Sequence, residues 1–306
     1  MTRPEQNPTP PPRPSYERPE MTGLSPEEQR SVTHGEFWIP EPERNVYKRA
    51  LQALNGAGIR YIISGLYAIY EYTGLYRKTK DLDLMLEPTE LLDAARVLKA
   101  EGFRLELSQA HWIAKAHWGE HFIDLVFAMG NGLAIIDRGW YENSRSAILA
   151  ATAVRVAPPE ELIWHRLFIT ERHRTDISDV VHLIVCRGDE LDWDRLLHRV
   201  DDHWQLLLAQ VQLFDYVYPA HYARVPRRVR EELYARARAI LETPPGPDAP
   251  FRGTLVSRFS FAIDVNEWAM RDLRSEAVAA TRTLPIMAEI RDSDVWDASD
   301  TEPDAD

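Results

Sequence analysis

Apolar and polar residues alternate along residues 44–127 with two different periods. Apolar side chains at Tyr47, Ala50, Leu51 and Leu54 follow helical spacing, and similar spacing predicts helices over 66–72 and 90–101. Short apolar runs of strand length predict β-strands over 59–63, 82–86, 103–107, 112–116 and 121–127. Strands that alternate with helices favour the α/β (α+β) class, in which helices line a sheet.

The pattern changes after Pro158-Pro159, where only helical spacing recurs. Helices are predicted over 160–171, 177–186, 193–200, 203–218 and 229–241, whereas 251–268 fits neither period. We therefore predict four parts of the chain: a disordered Pro-rich arm over 1–42, a sheet-containing domain over 43–157, a mainly helical domain over 158–275, and an acidic, largely disordered tail over 276–306.

The charge of the chain is uneven. The formal net charge of the 306 residues is -12, and the eight acidic side chains and one arginine of 289–306 account for -7 of it. Because phosphate backbones attract basic surfaces, we expect no extended double-stranded DNA binding. Cys186 is the only cysteine, which excludes an intrachain disulfide. The start has no signal-peptide core and no apolar run approaches the ~20 residues of a membrane span, so we expect a cytoplasmic protein with no membrane partner.

Candidate chemistry begins with Asp81-Leu82-Asp83. Alternation along a strand places the two aspartates on one face, about 6–7 Å apart. Asp124 is a single charge inside the apolar run 121–127, and a buried carboxylate without a partner is costly. If the two strands are neighbours, three carboxylates converge. Hard oxygen ligands of this kind suit Mg²⁺, and three of them can hold two ions.

Ser64-Gly65 lies between a predicted strand and a predicted helix. Small residues at such a turn let backbone N–H groups approach a triphosphate. Arg77, Lys78 and Lys80 precede the aspartates and are candidate phosphate ligands, although solvent-facing positions are the alternative for one or two of them. Lys115 lies in another apolar run, where a phosphate contact and an ordinary edge-strand position are equally open.

These residues resemble the nucleotidyltransferase (DNA polymerase β-like) superfamily, which is marked by an apolar residue with a Gly-Gly or Gly-Ser pair, an Asp-x-Asp motif and a later carboxylate. The run SGLYAIYEYTGLYRKTKDLDLML is similar to a bacterial branch akin to abortive-infection toxin nucleotidyltransferases. The likeness continues through HWIAKAHWGEHFIDLVF, PPEELIWHRLFITERHRTDISDVVHLI, LDWDRLLHRV and RGTLVSR, and so covers roughly 45–270. Two departures are the order Ser-Gly and the fifteen residues between Gly65 and Asp81.

The resemblance implies a minimal nucleotidyltransferase sheet followed by a helical domain. It also implies an enzyme that moves a nucleoside monophosphate from an NTP, such as ATP, to a hydroxyl of an RNA, a protein or a small molecule. Asp81, Asp83 and Asp124 would be the catalytic and Mg²⁺-binding residues. By the same resemblance Arg174 and Asp176 would contribute to the nucleotide pocket, with helix capping and salt bridges as the alternative for Asp176.

Two other functions stay open. The chain can be a weak or inactive nucleotidyltransferase-fold binding protein in a toxin–antitoxin or antiphage system. It can also be a glycosyltransferase, because the Asp-x-Asp motif of those enzymes bridges a metal to a nucleotide diphosphate; Ser64-Gly65 and Asp124 favour the nucleotidyltransferase.

Overall fold

The computed structural model describes residues 37–171 and 175–297, which divide into two compact units. One unit contains 37–158 together with 274–297, and the other contains 159–273 apart from three residues that are not described. The helices of the first unit are α1 (Glu41–Gly56), α2 (Gly65–Thr73), α3 (Pro88–Ala100), α4 (Arg138–Glu142), α12 (Leu273–Arg282) and α13 (Pro285–Arg291). Its strands are β1 (Ile62–Ile63), β2 (Leu82–Met85), β3 (Arg104–Gln109), β4 (Ile113–Trp118), β5 (His121–Val126), β6 (Arg145–Leu149) and β7 (Thr152–Val156).

The first unit is built on one seven-stranded mixed sheet with the order β3-β4-β5-β2-β1-β7-β6. The β2–β5 and β1–β7 pairs are parallel, and the other pairs are antiparallel. This sheet and its helices confirm the predicted fold class. Strand β2 shows why alternation in the sequence predicts this sheet. Leu82 and Leu84 are fully buried on one face, and Asp83 projects from the other.

Helices α1 and α3 pack against each other and against the sheet. Helix α1 buries Tyr47, Ala50, Leu51 and Leu54, the stripe that its spacing predicted, and also Val46. Helix α3 begins at Pro88, two residues before the predicted start at 90, because a proline has a suitable φ and needs no hydrogen bond for its nitrogen in the first turn.

Three features of this unit differ from the sequence prediction. Strands β6 and β7 form a hairpin that was not predicted. The arm predicted over 1–42 is too long, because Ile39 is buried and α1 begins at Glu41; residues 1–36 lie outside the described residues. The tail predicted from 276 is wrong as far as residue 297, since Val278, Met287, Ile290 and Val295 are buried on the unit. Apolar side chains at helical spacing outweigh the acidic composition there.

The end of the described chain covers an edge of the sheet. The Leu105 N–H on β3 donates to Asp297 Oδ2 at 2.7 Å, and the Asp297 N–H donates to the Leu105 carbonyl at 2.8 Å. Lys99 Nζ lies 2.9 Å from Asp297 Oδ1. An edge strand with paired backbone groups is protected from pairing with other chains.

The second unit is helical. Its helices are α5 (Pro159–Arg166), α6 (Ile177–Arg187), α7 (Trp193–Val200), α8 (Trp204–Val217), α9 (Arg227–Glu242), α10 (Gly253–Val256) and α11 (Ala262–Asn266), with 3₁₀ turns at Asp201–His203 and Pro219–Arg224. Buried ion pairs join its helices: Glu161 is fully buried and contacts Arg195 and Arg199. Across the described parts of both units, no helix combines the length and apolar character that a bilayer crossing needs.

Candidate active site

Two of the predicted carboxylates lie side by side on the sheet. Strand β2 runs parallel to β5, and the register pairs Asp83 directly with Asp124, so both side chains project from the same face. Asp81 immediately precedes β2 and shares that face by alternation. Burial raises the pKa of Asp124, and the nearby charge of Asp81 adds to that rise, whereas Lys115 opposes it. The adjacency that the prediction required is therefore present.

The turn before α2 brings backbone against Asp83. The Ser64 N–H donates to the Asp83 carbonyl at 2.9 Å, and Gly65 begins α2 with φ +60°. A Cβ at position 65 would overlap Asp83 Oδ2 and lie 3.0 Å from its Cγ. The carboxylate of Asp83 thus rests at the N-terminus of a helix, where the peptide dipoles favour negative charge. It is Gly65, more than Ser64, that permits the close approach.

Thr79 was not singled out by the sequence, although its position two residues before Asp81 was a usable signal. Its Oγ1 donates to Asp81 Oδ1 at 2.7 Å, which holds that carboxylate in one orientation. Arg77 is half-buried and Lys80 is exposed, and both lie on the segment between α2 and β2. Their proposed contacts with phosphate remain predictions.

Lys115 faces Asp124 from the next strand. The two are register partners across β4 and β5, and Nζ lies 2.6 Å from Asp124 Oδ1. The ammonium also lies 4.3 Å from the ring centroid of Phe122. This residue is not at a sheet edge, so the edge-strand alternative is wrong: β4 lies between β3 and β5.

The polar row extends one strand further, to residues that the sequence prediction missed. Glu106 on β3 is the register partner of Lys115. Its carboxylate lies 3.0 Å from His117 Nε2 and accepts from Ser108 Oγ at 2.9 Å. Burial lowers the pKa of His117, and the charge of Arg104 lowers it further. Alternation along β3 and β4 was the signal that pointed to this face.

Two further predicted site residues, Arg174 and Asp176, belong to the helical unit. Asp176 precedes α6 and lies 3.9 Å from Arg166 Nε, while Asp179 lies 3.1 Å from the same nitrogen. These contacts fit the salt-bridge alternative, and a nucleotide contact by Asp176 stays a prediction. Arg174 lies outside the described residues.

The three aspartates have oxygen atoms of the kind that bind a divalent ion, but their side chains are too far apart to enclose one together. Asp81, Asp83 and Asp124 offer the hard oxygen atoms that Mg²⁺ prefers, and Asp83 and Asp124 share one face. Within 37–171 and 175–297, no three His, Cys, Asp or Glu side chains lie close enough together to enclose a metal ion. The residues therefore fit Mg²⁺ in kind, with the bound phosphates of a substrate as further ligands.

A family profile described as "uncharacterised nucleotidyltransferase" matches residues 45–214, more than half of the chain. The chain belongs to this nucleotidyltransferase family. The match confirms the superfamily that the motifs indicated, and it includes both Asp83 and Asp124. Kinship with the abortive-infection branch stays a prediction. A comparison with curated protein sequences gives no match.

Solved structures of nucleotidyltransferases resemble the chain at low identity. The antibiotic-resistance factor ANT(2'')-Ia is 15% identical, with a TM-score of 0.40 over 58% of this chain and 99% of that one. The lincosamide antibiotic adenylyltransferase LnuA is 14% identical, with a TM-score of 0.34 over 47% of this chain and 96% of that one. A nucleotidyltransferase-like protein from Paracoccidioides brasiliensis is 16% identical, with a TM-score of 0.42 over 61% and 95%.

Proposed function

We propose that the protein is a Mg²⁺-dependent enzyme that transfers a nucleoside monophosphate from an NTP to a hydroxyl acceptor. The observation that carries the proposal is the parallel register that sets Asp83 beside Asp124, with the N-terminus of α2 against Asp83. An acceptor oxygen would bond to the α-phosphorus while the bond from that phosphorus to the bridging oxygen breaks. Pyrophosphate then leaves with the electron pair of that bond.

Each residue of the site would have a different role, which follows from its position. Asp81 and Asp83 would hold Mg²⁺, which when bound neutralises phosphate charge. Asp124 would take the proton of the acceptor hydroxyl. Ser64 and Gly65, at the N-terminus of α2, would lie against the triphosphate. Because the Ser64 N–H donates to the Asp83 carbonyl, the contact would come from the N–H groups that follow it. Catalysis of this kind depends on positioning and on charge stabilisation, so small displacements of the carboxylates are costly.

Substitution of the paired aspartates tests the proposal. Asp83→Asn and Asp124→Asn should each lower Mg²⁺-dependent transfer of label from α-labelled NTP by roughly 10²–10³-fold, the usual effect of losing a group that stabilises a transition state. Asp93→Asn is the control, because Asp93 is exposed on α3. Circular dichroism would verify that all three variants fold. Full activity in Asp83→Asn would refute the assignment.

One observation favours a second candidate, a nucleotide-binding protein without turnover. The Asp124 carboxylate already has a cationic partner in Lys115, a pairing that an inactive site can retain. Calorimetry with each NTP and Mg²⁺ separates the two, since binding without release of pyrophosphate would support the inactive protein. Family membership weighs against the glycosyltransferase.

The acceptor class is open to direct test. Incubation of the protein with each α-labelled NTP, Mg²⁺ and a total-cell extract should label one class of molecule. RNA, protein and small-molecule fractions can then be compared. The Asp83→Asn variant provides the background for every fraction.

A further inference from the structure

We propose that the Lys115 ammonium takes the place of a second, nucleophile-side metal ion, so that this chain binds one divalent ion and not two. The inference rests on the proposed function, because it concerns which cations neutralise the carboxylates of the same site. It replaces the two-ion expectation drawn from the number of carboxylates alone.

The first argument is the space around Asp124. Mg²⁺ binds carboxylate oxygen at about 2.0–2.1 Å. Lys115 Nζ lies 2.6 Å from Asp124 Oδ1, a direct charge-assisted contact that already supplies this oxygen with a positive charge. Only 27% of the lysine side chain and 10% of the aspartate side chain are exposed, so water screens the pair weakly.

The second argument concerns the two carboxylates that flank Lys115 on the sheet. Its register partners are Asp124 on one side and Glu106 on the other. Glu106 instead lies 3.0 Å from His117 Nε2 and accepts from Ser108. With Glu106 engaged by other partners, the charge of Lys115 is directed toward the carboxylate row of the site.

The third argument is that the lysine is held in place. Its ammonium lies 4.3 Å from the centroid of the Phe122 ring, and Phe122 is two residues before Asp124 on β5. A cation beside an aromatic face gains a further attraction. Strand β4 is also paired on both sides, which fixes the lysine backbone. The positive charge therefore stands at Asp124 before any substrate arrives.

Together these contacts give Asp124 a resident cation in Lys115. Asp81 accepts a hydrogen bond from Thr79 Oγ1. A divalent ion beside the ammonium would be repelled by it, so the ion is expected at Asp81 and Asp83. Lys115 acts here as a positioning residue for Asp124.

Counting bound Mn²⁺ tests the proposal. Titration in the presence of a non-hydrolysable NTP analogue, followed by electron paramagnetic resonance and calorimetry, should give one Mn²⁺ per chain for the unmodified protein. Lys115→Met keeps the length of the stem and removes the charge, so it should gain one ion, to two per chain. Lys115→Gln is a second neutral variant with the same expected count, and Lys115→Arg keeps the charge and should stay at one.

Lys48→Met is the matched control, because Lys48 is an exposed lysine on α1, and its count should stay at one. Two ions in the unmodified protein would overturn the inference, and so would a folded Lys115→Met and Lys115→Gln that both remain at one. Either result leaves the proposed function standing. If no variant binds the Mn²⁺ and analogue at all, the proposed function itself fails, and the inference fails with it.

Discussion

Gly65 leaves the space that the Asp83 carboxylate fills. A Cβ at this position would overlap Asp83 Oδ2, and the residue also has φ +60°, which side-chain-bearing residues rarely adopt. Two constraints, one of space and one of backbone conformation, therefore act on a single glycine. They can be separated, because Gly58 has φ +72° and nothing within 4 Å of a Cβ added there.

Gly65→Ala should lower the free energy of unfolding by more than Gly58→Ala does. The positive φ costs each alanine about 1–2 kcal/mol, and only position 65 also displaces a carboxylate. Urea denaturation gives both values, and the difference between them measures the displacement of Asp83. Transfer activity should fall only in Gly65→Ala. Equal effects of the two variants on stability and activity would contradict the close approach.

The hairpin between β6 and β7 offers a stabilising change. Its two-residue turn consists of Ala150 with φ 49° and Ala151 with φ 57°, where turns of this kind favour Asn-Gly. The double substitution Ala150→Asn with Ala151→Gly should raise the free energy of unfolding by about 1–2 kcal/mol. Ala53→Gly, inside α1, is the opposite control and should lower it by about 1 kcal/mol. If the double variant has the same free energy of unfolding as the unmodified protein, residues 150 and 151 do not form a turn with two positive φ angles.

His117 should make the protein less stable in mild acid. Because burial lowers its pKa below 6.5 in the folded state, the unfolded chain binds more protons as the pH falls through 6.5, and the folded state loses stability. The loss stops once the pH is below the folded-state pKa. His117→Asn removes this component. Urea unfolding at pH 7.5 and 5.5 should show a smaller pH difference in the variant, and identical differences would refute the prediction.

Asp297 should stabilise the first unit through its contacts with β3. The Leu105 N–H and Lys99 lower the pKa of Asp297, so its contribution is present above pH 3.8 and is lost as the pH falls through the folded-state pKa. Asp297→Ala should lower the free energy of unfolding at pH 7 by about 1 kcal/mol. The neighbouring exposed Asp292 is the control, and Asp292→Ala should stay within about 0.5 kcal/mol. If the two variants lose the same free energy of unfolding, the contacts of Asp297 with β3 do not stabilise the unit.

The sequence predicted the strands of the site better than their arrangement. Alternation reveals that Asp83 and Asp124 each lie on an otherwise apolar strand, but strand order and register depend on contacts between distant segments. The same limit hid the Lys115 partnership, since a cross-strand pair has no fixed spacing along the chain. Strand β6 was missed because Arg145–Leu149 carries little apolar alternation. The prediction of a disordered tail rested on the acidic composition of the last residues and overlooked Val278 and Ile290, which are buried.

The contact of Asp297 with β3 also bears on biosynthesis. The sheet is assembled from residues that leave the ribosome early, while the segment that covers its β3 edge is among the last of the described chain to be made. During translation the Leu105 backbone is therefore exposed, with the whole helical unit still to be synthesised. An open strand edge in a nascent chain is a site for mispairing. The chain of the unit that carries the carboxylates is thus begun before the helical unit is synthesised and completed after it.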